Sequence, residues 1–191
     1  MMKLPDHTVI KHVTEPLEAF TDIETNNQYM IVDEDDEPLY RAAEEAGMIA
    51  RNLLGSRRGT HLHIHDLDGE RHCTIERPFY LVKSDATVYN DTPLCHIRHD
   101  AWFATKQFSI QDNHVTRLRA VSNLPHKWTY ELLRDGYKVG EVRKRWSGVG
   151  KELFTDADTF HIDYGDVTDN TLRQCILALA FVIDLRYFED S

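Results

Sequence analysis

The chain has 191 residues, of which 41% are hydrophobic and 28% charged, with a formal net charge of −10. That length buries roughly 70% of the unfolded surface, so a core forms without disulfides or a structural metal. The negative field repels nucleic acid phosphates and anionic lipid headgroups unless a local basic patch overcomes it, which disfavours a generic DNA or RNA binder.

Along the chain, Val9–Val13 and Leu17–Ile23 read as strands, and then one unit recurs: alternating apolar positions, a polar turn, alternation again. Tyr29-Met30-Ile31-Val32 turns through Asp33 to Pro38 into Leu39-Tyr40. Leu62 and Ile64 turn through Asp66-Leu67-Asp68-Gly69-Glu70 into Cys73 and Ile75. Val88-Tyr89 turns at Asn90 to Pro93 into Leu94 and Ile97. Phe108 and Ile110 turn at Gln111-Asp112-Asn113 into Val115, Leu118 and Val121; Trp128, Tyr130 and Leu132 turn at Arg134-Asp135-Gly136 into Tyr137, Val139 and Val142. Period-two hydrophobicity bracketed by Asp, Asn, Gly or Pro is the signature of a β-hairpin. No Gly/Ser-rich or Pro-rich linker interrupts the series, so one domain over residues 1–191 is expected.

Two stretches read as helical. Glu44-Glu45-Ala46 with Met48-Ile49 suits a single turn, weakened by Gly47. The other is long: after Thr168 or Asp169 as N-cap, the chain runs from Leu172 to Phe188, and every residue from Cys175 to Ile183 is apolar. A helix apolar all round is either a membrane span or an enclosed core element. The uninterrupted run has nine residues, whereas a span needs about 20. Extending it takes in Arg173, Asp184 and Arg186, each costing roughly 2.5–3.5 kcal/mol near a bilayer centre. The helix is therefore expected inside protein. An eight-stranded barrel is filled by its own side chains, so a larger, closed antiparallel barrel, near the eleven strands of known cans, is predicted around it.

Cys73, Cys95 and Cys175 are odd in number, scattered, and without zinc spacing, which reads as a reducing compartment, with Cys175 an inert thiol in the helix. The N-terminal residues carry neither a signal-peptide apolar run nor Gly at position 2, so a cytoplasmic location, free or peripheral at a membrane, is expected.

Trp146-Ser147-Gly148, then Glu152-Leu153-Phe154-Thr155-Asp156-Ala157-Asp158-Thr159-Phe160-His161-Ile162, and Ala180 to Asp184 through Phe188-Glu189, resemble the C-terminal part of phospholipid scramblases. Ala42-Ala43-Glu44, Arg51-Asn52, Gly55, the Asp66/Gly69/Glu70 turn and Glu76-Arg77-Pro78 follow the family upstream in order. The resemblance implies the fold shared with tubby C-terminal and LURP-one-related proteins, a twelve-stranded barrel wrapped around a buried hydrophobic C-terminal α-helix. It also implies a calcium (Ca2+) site, association with phospholipid headgroups or a membrane surface, and transbilayer lipid movement. The Pro-rich N-terminal region and palmitoylated cysteine cluster of vertebrate scramblases have no counterpart in this sequence, which keeps a second reading open: a soluble binding module with a protein or small-ligand partner.

For calcium, Asp156, Asp158, Asp163 and Asp166 offer hard oxygen donors. They do not form an EF-hand loop, since counting from Asp156 puts His161 at the glycine position and Val167 at the final glutamate. The competing reading is a core strand, Phe160, Ile162 and Tyr164, with Asp156 and Asp158 capping a turn. For lipid, Arg143, Lys144, Arg145 and Lys151 are the densest basic stretch, with Arg57-Arg58 next; Arg143 and Arg145 share a strand face and suit a phosphate. The competing reading is a solvated face. His61, His63 and His65 share another strand face, either as metal ligands, on which a metal-dependent enzyme is a third reading, or as a His-rich solvent surface. The sequence shows no nucleophile elbow, phosphate-cradling loop or dinucleotide fingerprint, and no catalytic residue is assigned.

Overall fold

The computed structural model describes residues 2–13, 25–45, 59–79, 83–100, 106–122, 128–145 and 159–187. Twelve strands follow in chain order: β1 His7–Val13, β2 Thr25–Val32, β3 Pro38–Glu45, β4 Thr60–His65, β5 Arg71–Arg77, β6 Ala86–Asn90, β7 Thr92–His99, β8 Lys106–Asp112, β9 Val115–Ser122, β10 Thr129–Arg134, β11 Tyr137–Arg145 and β12 Thr159–Asp163. Helix α1, Asn170–Tyr187, comes last. Each strand pairs with its sequence neighbour, and β1 also pairs antiparallel with β12, closing the barrel. The five hairpins read from the sequence are β2–β3, β4–β5, β6–β7, β8–β9 and β10–β11.

Their turns have the expected chemistry. Asp33 and Asp66 each accept two backbone N–H bonds within their own turn, and Gly69 and Gly136 take the positive φ that a tight reversal requires. All five tight turns sit at one end of the barrel, together with the start of α1.

Alternation sends one side of every strand inward. Ile31, Leu62, Ile64, Ile75, Val88, Ile97, Phe108, Leu132 and Val142 are buried on a ring around α1. Within α1, every residue from Leu172 to Ile183 is buried, as is Leu185. Burying the six large apolar side chains between Ile176 and Ile183 stabilises the fold by on the order of 10 kcal/mol. Asp169 caps the helix, its Oδ1 accepting from Thr171 N–H at 2.9 Å.

Arg173 and Asp184, near the two ends of α1, are each answered by groups outside the helix. Arg173 donates to the Leu4 and Val167 carbonyls and to Asp6 Oδ1. Asp184 receives Lys144 Nζ at 3.1 Å and Tyr29 Oη at 3.0 Å. Arg77, wholly buried, donates to the Leu185 carbonyl at 3.2 Å, where the helix dipole favours a cation.

Four sequence expectations need revision. Glu44 and Glu45 belong to β3 and not to a helical turn; Glu44 points inward, where Thr60 and Asn27 donate to its carboxylate. Cys175 is no free thiol: it is joined to Cys95 of β7 across 80 residues, and Cys73 remains reduced. Scatter along the chain conceals that inward positions of one strand and the enclosed helix meet. Val115 and Tyr137 are not core residues; they stand exposed at turn tips, where the pleat has barely begun. Val121 faces outward, because the inward set of β9 is Leu118, Ala120 and Ser122. The strand expected at 17–23 and the rest of the expected helical turn, 46–49, lie outside the described residues.

No helix among the described residues is long and apolar enough to cross a membrane. The outward positions of β9 to β11 include Arg117, Arg119, Glu131, Glu141 and Arg143, the reverse of the apolar outer band of a membrane barrel.

Candidate functional site

Where the barrel closes, β11, β12 and β1 lie side by side and their outward residues form three rows. The registers put Glu141, Asp163 and His7 in one row, Arg143, His161 and Val9 in the next, and Arg145, Thr159 and Lys11 in the third. Successive rows are two residues apart along the strands, roughly 6.6 Å. With Glu34 and Asp36 from the β2–β3 turn, they line an open groove of about 590 Å³.

The groove is graded in charge. Its first row, at the tight-turn end, carries two carboxylates. Glu141 accepts from Lys138 Nζ at 2.8 Å and from Arg143, and these cations, Lys138 first, hold its carboxyl below the usual carboxylate range. Asp163 Oδ1 accepts from Gly165 N–H at 2.9 Å and faces His7 Nδ1 at 3.8 Å. The third row is cationic: Lys11 meets Asp36 at 2.9 Å, while Arg145 is exposed and has no ion-pair partner among the described residues. His161 Nε2 lies 3.2 Å from Thr159 Oγ1 between the two ends. Guanidinium and ammonium groups side by side suit a phosphate, and facing carboxylates suit an ammonium.

Of the residues assigned to lipid from the sequence, Arg143 and Arg145 come together here. Lys144 requires correction. Its neighbours face out, so alternation sends it inward, where its side chain is 2% exposed and paired with Asp184. It holds the helix and cannot meet a headgroup. Lys151 and Arg57-Arg58 lie outside the described residues.

Of the calcium set, Asp163 lines the groove and Asp166 is exposed in the turn after β12. Asp156 and Asp158 lie outside the described residues. Phe160, Ile162 and Tyr164 are buried, as the core-strand reading has it. Thr159 and Asp163, the two ends of β12, are about 13 Å apart in extended chain.

His61, His63 and His65 do share the outer face of β4. Glu45 sits between the first two, 3.8 Å from His61 Nδ1 and 3.7 Å from His63 Nε2, and His63 Nδ1 lies 3.0 Å from Thr74 Oγ1. Burial, ahead of the neighbouring charges, lowers the pKa of His63 and of His65 below the ordinary value.

His7, Lys11, Glu141 and His161 were missed from the sequence. Alternation places each on an outer face, but β1 and β12 are some 150 residues apart, and only barrel closure brings them together.

A sequence model of the Scramblase family matches residues 1–190. The chain is similar to phospholipid scramblase 2 of Bos taurus, at 28% identity over 96% of this chain and 69% of the relative. It is similar also to phospholipid scramblase 1 of Homo sapiens, at 27% identity over 97% of this chain and 64% of the relative, and to phospholipid scramblase family member 5 of Homo sapiens, at 24% identity over 97% and 75%. The chain thus spans about two thirds of the length of the curated relatives it matches. No solved structure matches it. Because the family match takes in all twelve strands and the enclosed helix, the chain belongs to the scramblase family.

Proposed function

We propose that the groove over β11, β12 and β1 receives phospholipid headgroups at a membrane surface, as the first step of scramblase-like lipid handling. The observation that carries this is the graded rows: a headgroup phosphate finds Arg143, Arg145 and Lys11, while an amine on the same headgroup finds Glu141 and Asp163. The names of the relatives support the ligand class. Calcium-modulated transbilayer movement is the finer part of the proposal, resting on the family and on Asp163, an oxygen donor facing the groove. Since α1 fills the barrel, any lipid path runs over the outside of the barrel.

Flotation with vesicles of phosphatidylcholine alone and with added phosphatidylserine, each with and without calcium, tests the reading. The protein is expected to float with the anionic vesicles, and the Arg143→Gln/Arg145→Gln variant to float several-fold less. Absence of flotation under every condition, or equal flotation by the variant, removes the groove as a lipid site. A dye-lipid translocation assay on the same vesicles then tests movement. Flotation without translocation favours the second reading, a binding module, for which the packed barrel interior is the supporting observation.

A further inference from the structure

We propose that the turn joining β4 to β5 binds a divalent first-row transition metal ion through the carboxylates of Asp66 and Glu70 and Nε2 of His72. Their donor atoms all lie within 4.8 Å of one another. Asp66 Oδ2 and His72 Nε2 are 2.9 Å apart, close to the roughly 2.9–3.4 Å between adjacent ligands of an ion with bonds of about 2.0–2.1 Å. The pair therefore already has the spacing that an ion requires, with a hydrogen bond in its place.

Two of the three donors are oriented before any ion arrives. Asp66 Oδ1 accepts from Asp68 N–H at 3.1 Å and Glu70 N–H at 2.8 Å, which leaves Oδ2 to the site. The backbone bond from Asp66 N–H to the Glu70 carbonyl, at 3.0 Å, closes the turn and keeps Glu70 beside Asp66. His72 is aimed by a different device. The β4–β5 ladder pairs Ile64 with Cys73 and His65 with Arg71, so His72 is the extra residue of a β-bulge. Without the bulge, His72 would stand opposite His65; with it, the ring swings toward Asp66. Tyr40 packs edge-on against that ring at 5.9 Å and limits its rotation. Donors held in place by supporting contacts bind an ion at lower ordering cost.

The donor set selects the ion. One imidazole with two carboxylates suits zinc and its first-row neighbours, while calcium prefers oxygen donors alone. Water completes the shell, because Glu70 is exposed and Asp66 and His72 are half-buried. The site differs from the one the histidine alternation suggests: His61 and His63 contribute nothing to it.

The test is calorimetric titration of zinc chloride into the full chain after treatment with a chelator. One saturable equivalent is expected, unaffected by excess calcium. Glu70→Gln and His72→Asn should each weaken binding by at least the roughly tenfold that loss of a supporting partner costs a metal site. Glu70 is exposed, so its variant tests the site without threatening the fold, which circular dichroism checks. His61→Ala/His63→Ala should leave the affinity unchanged. No saturable uptake, equal uptake by both site variants, or an equal loss in the His61/His63 variant would overturn the assignment.

Discussion

Lys144 shows how far one position of register changes a side chain's role. Arg143 and Arg145 face the groove; Lys144 between them is buried against Asp184 and lies 5.2 Å from the Phe160 ring centroid. Removing one partner of a buried pair leaves the other charge uncompensated, so Lys144→Ala is expected to lower unfolding free energy by about 3–5 kcal/mol in urea denaturation. Arg145→Ala, on the exposed face, should stay within about 0.5 kcal/mol of the wild type. His99 makes a second prediction. Its ring stacks on Phe108 at 4.8 Å and its Nε2 lies 3.1 Å from Tyr187 Oη. Burial first, then the Arg186 charge, lowers its pKa below the ordinary 6.5. A depressed folded pKa favours the neutral ring, so its contribution is complete above pH 6.5 and is lost as pH falls through the folded value. Thermal unfolding at a series of pH values should therefore show less acid destabilisation in His99→Gln than in the wild type.

At the scale of the element, α1 is the part whose surroundings decide everything else. Apolar around its circumference, it exists only because the wall encloses it; Arg173 meets the N-terminal segment and Asp184 meets Lys144 and Tyr29 of the strands. The Cys95–Cys175 bond adds a covalent tie between β7 and the helix over a separation of 80 residues. In the chain-entropy treatment a loop of that size is stabilised by roughly 4–5 kcal/mol when closed. Cys175→Ala is expected to lower the melting temperature by many degrees, and a reducing agent should affect the wild type but not the variant. Alkylation under non-reducing, denaturing conditions followed by mass measurement should label Cys73 alone.

For the whole molecule, closure between β1 and β12 does two things at once: it removes the last pair of sheet edges, and it creates the groove. Deleting residues 1–13 should open the barrel and expose β2, β12 and α1. Loss of solubility, or strong binding of a hydrophobic dye by the truncated chain, is the expected result; a soluble, cooperatively folding truncation would contradict the account of closure. Much of this architecture is legible beforehand, since pleat and turn chemistry are local properties. Five hairpins and one enclosed helix follow from periods of two and from a run of apolar residues between Cys175 and Ile183, too short to span a bilayer. What a chain segment does not contain is its partner across the barrel. Only tertiary structure could bring His7, Lys11 and His161 beside Arg143, join Cys95 to Cys175, turn Lys144 inward to Asp184, and place a bulge that swings His72 to Asp66, because each depends on register between segments whose separation in sequence carries no record of their contact.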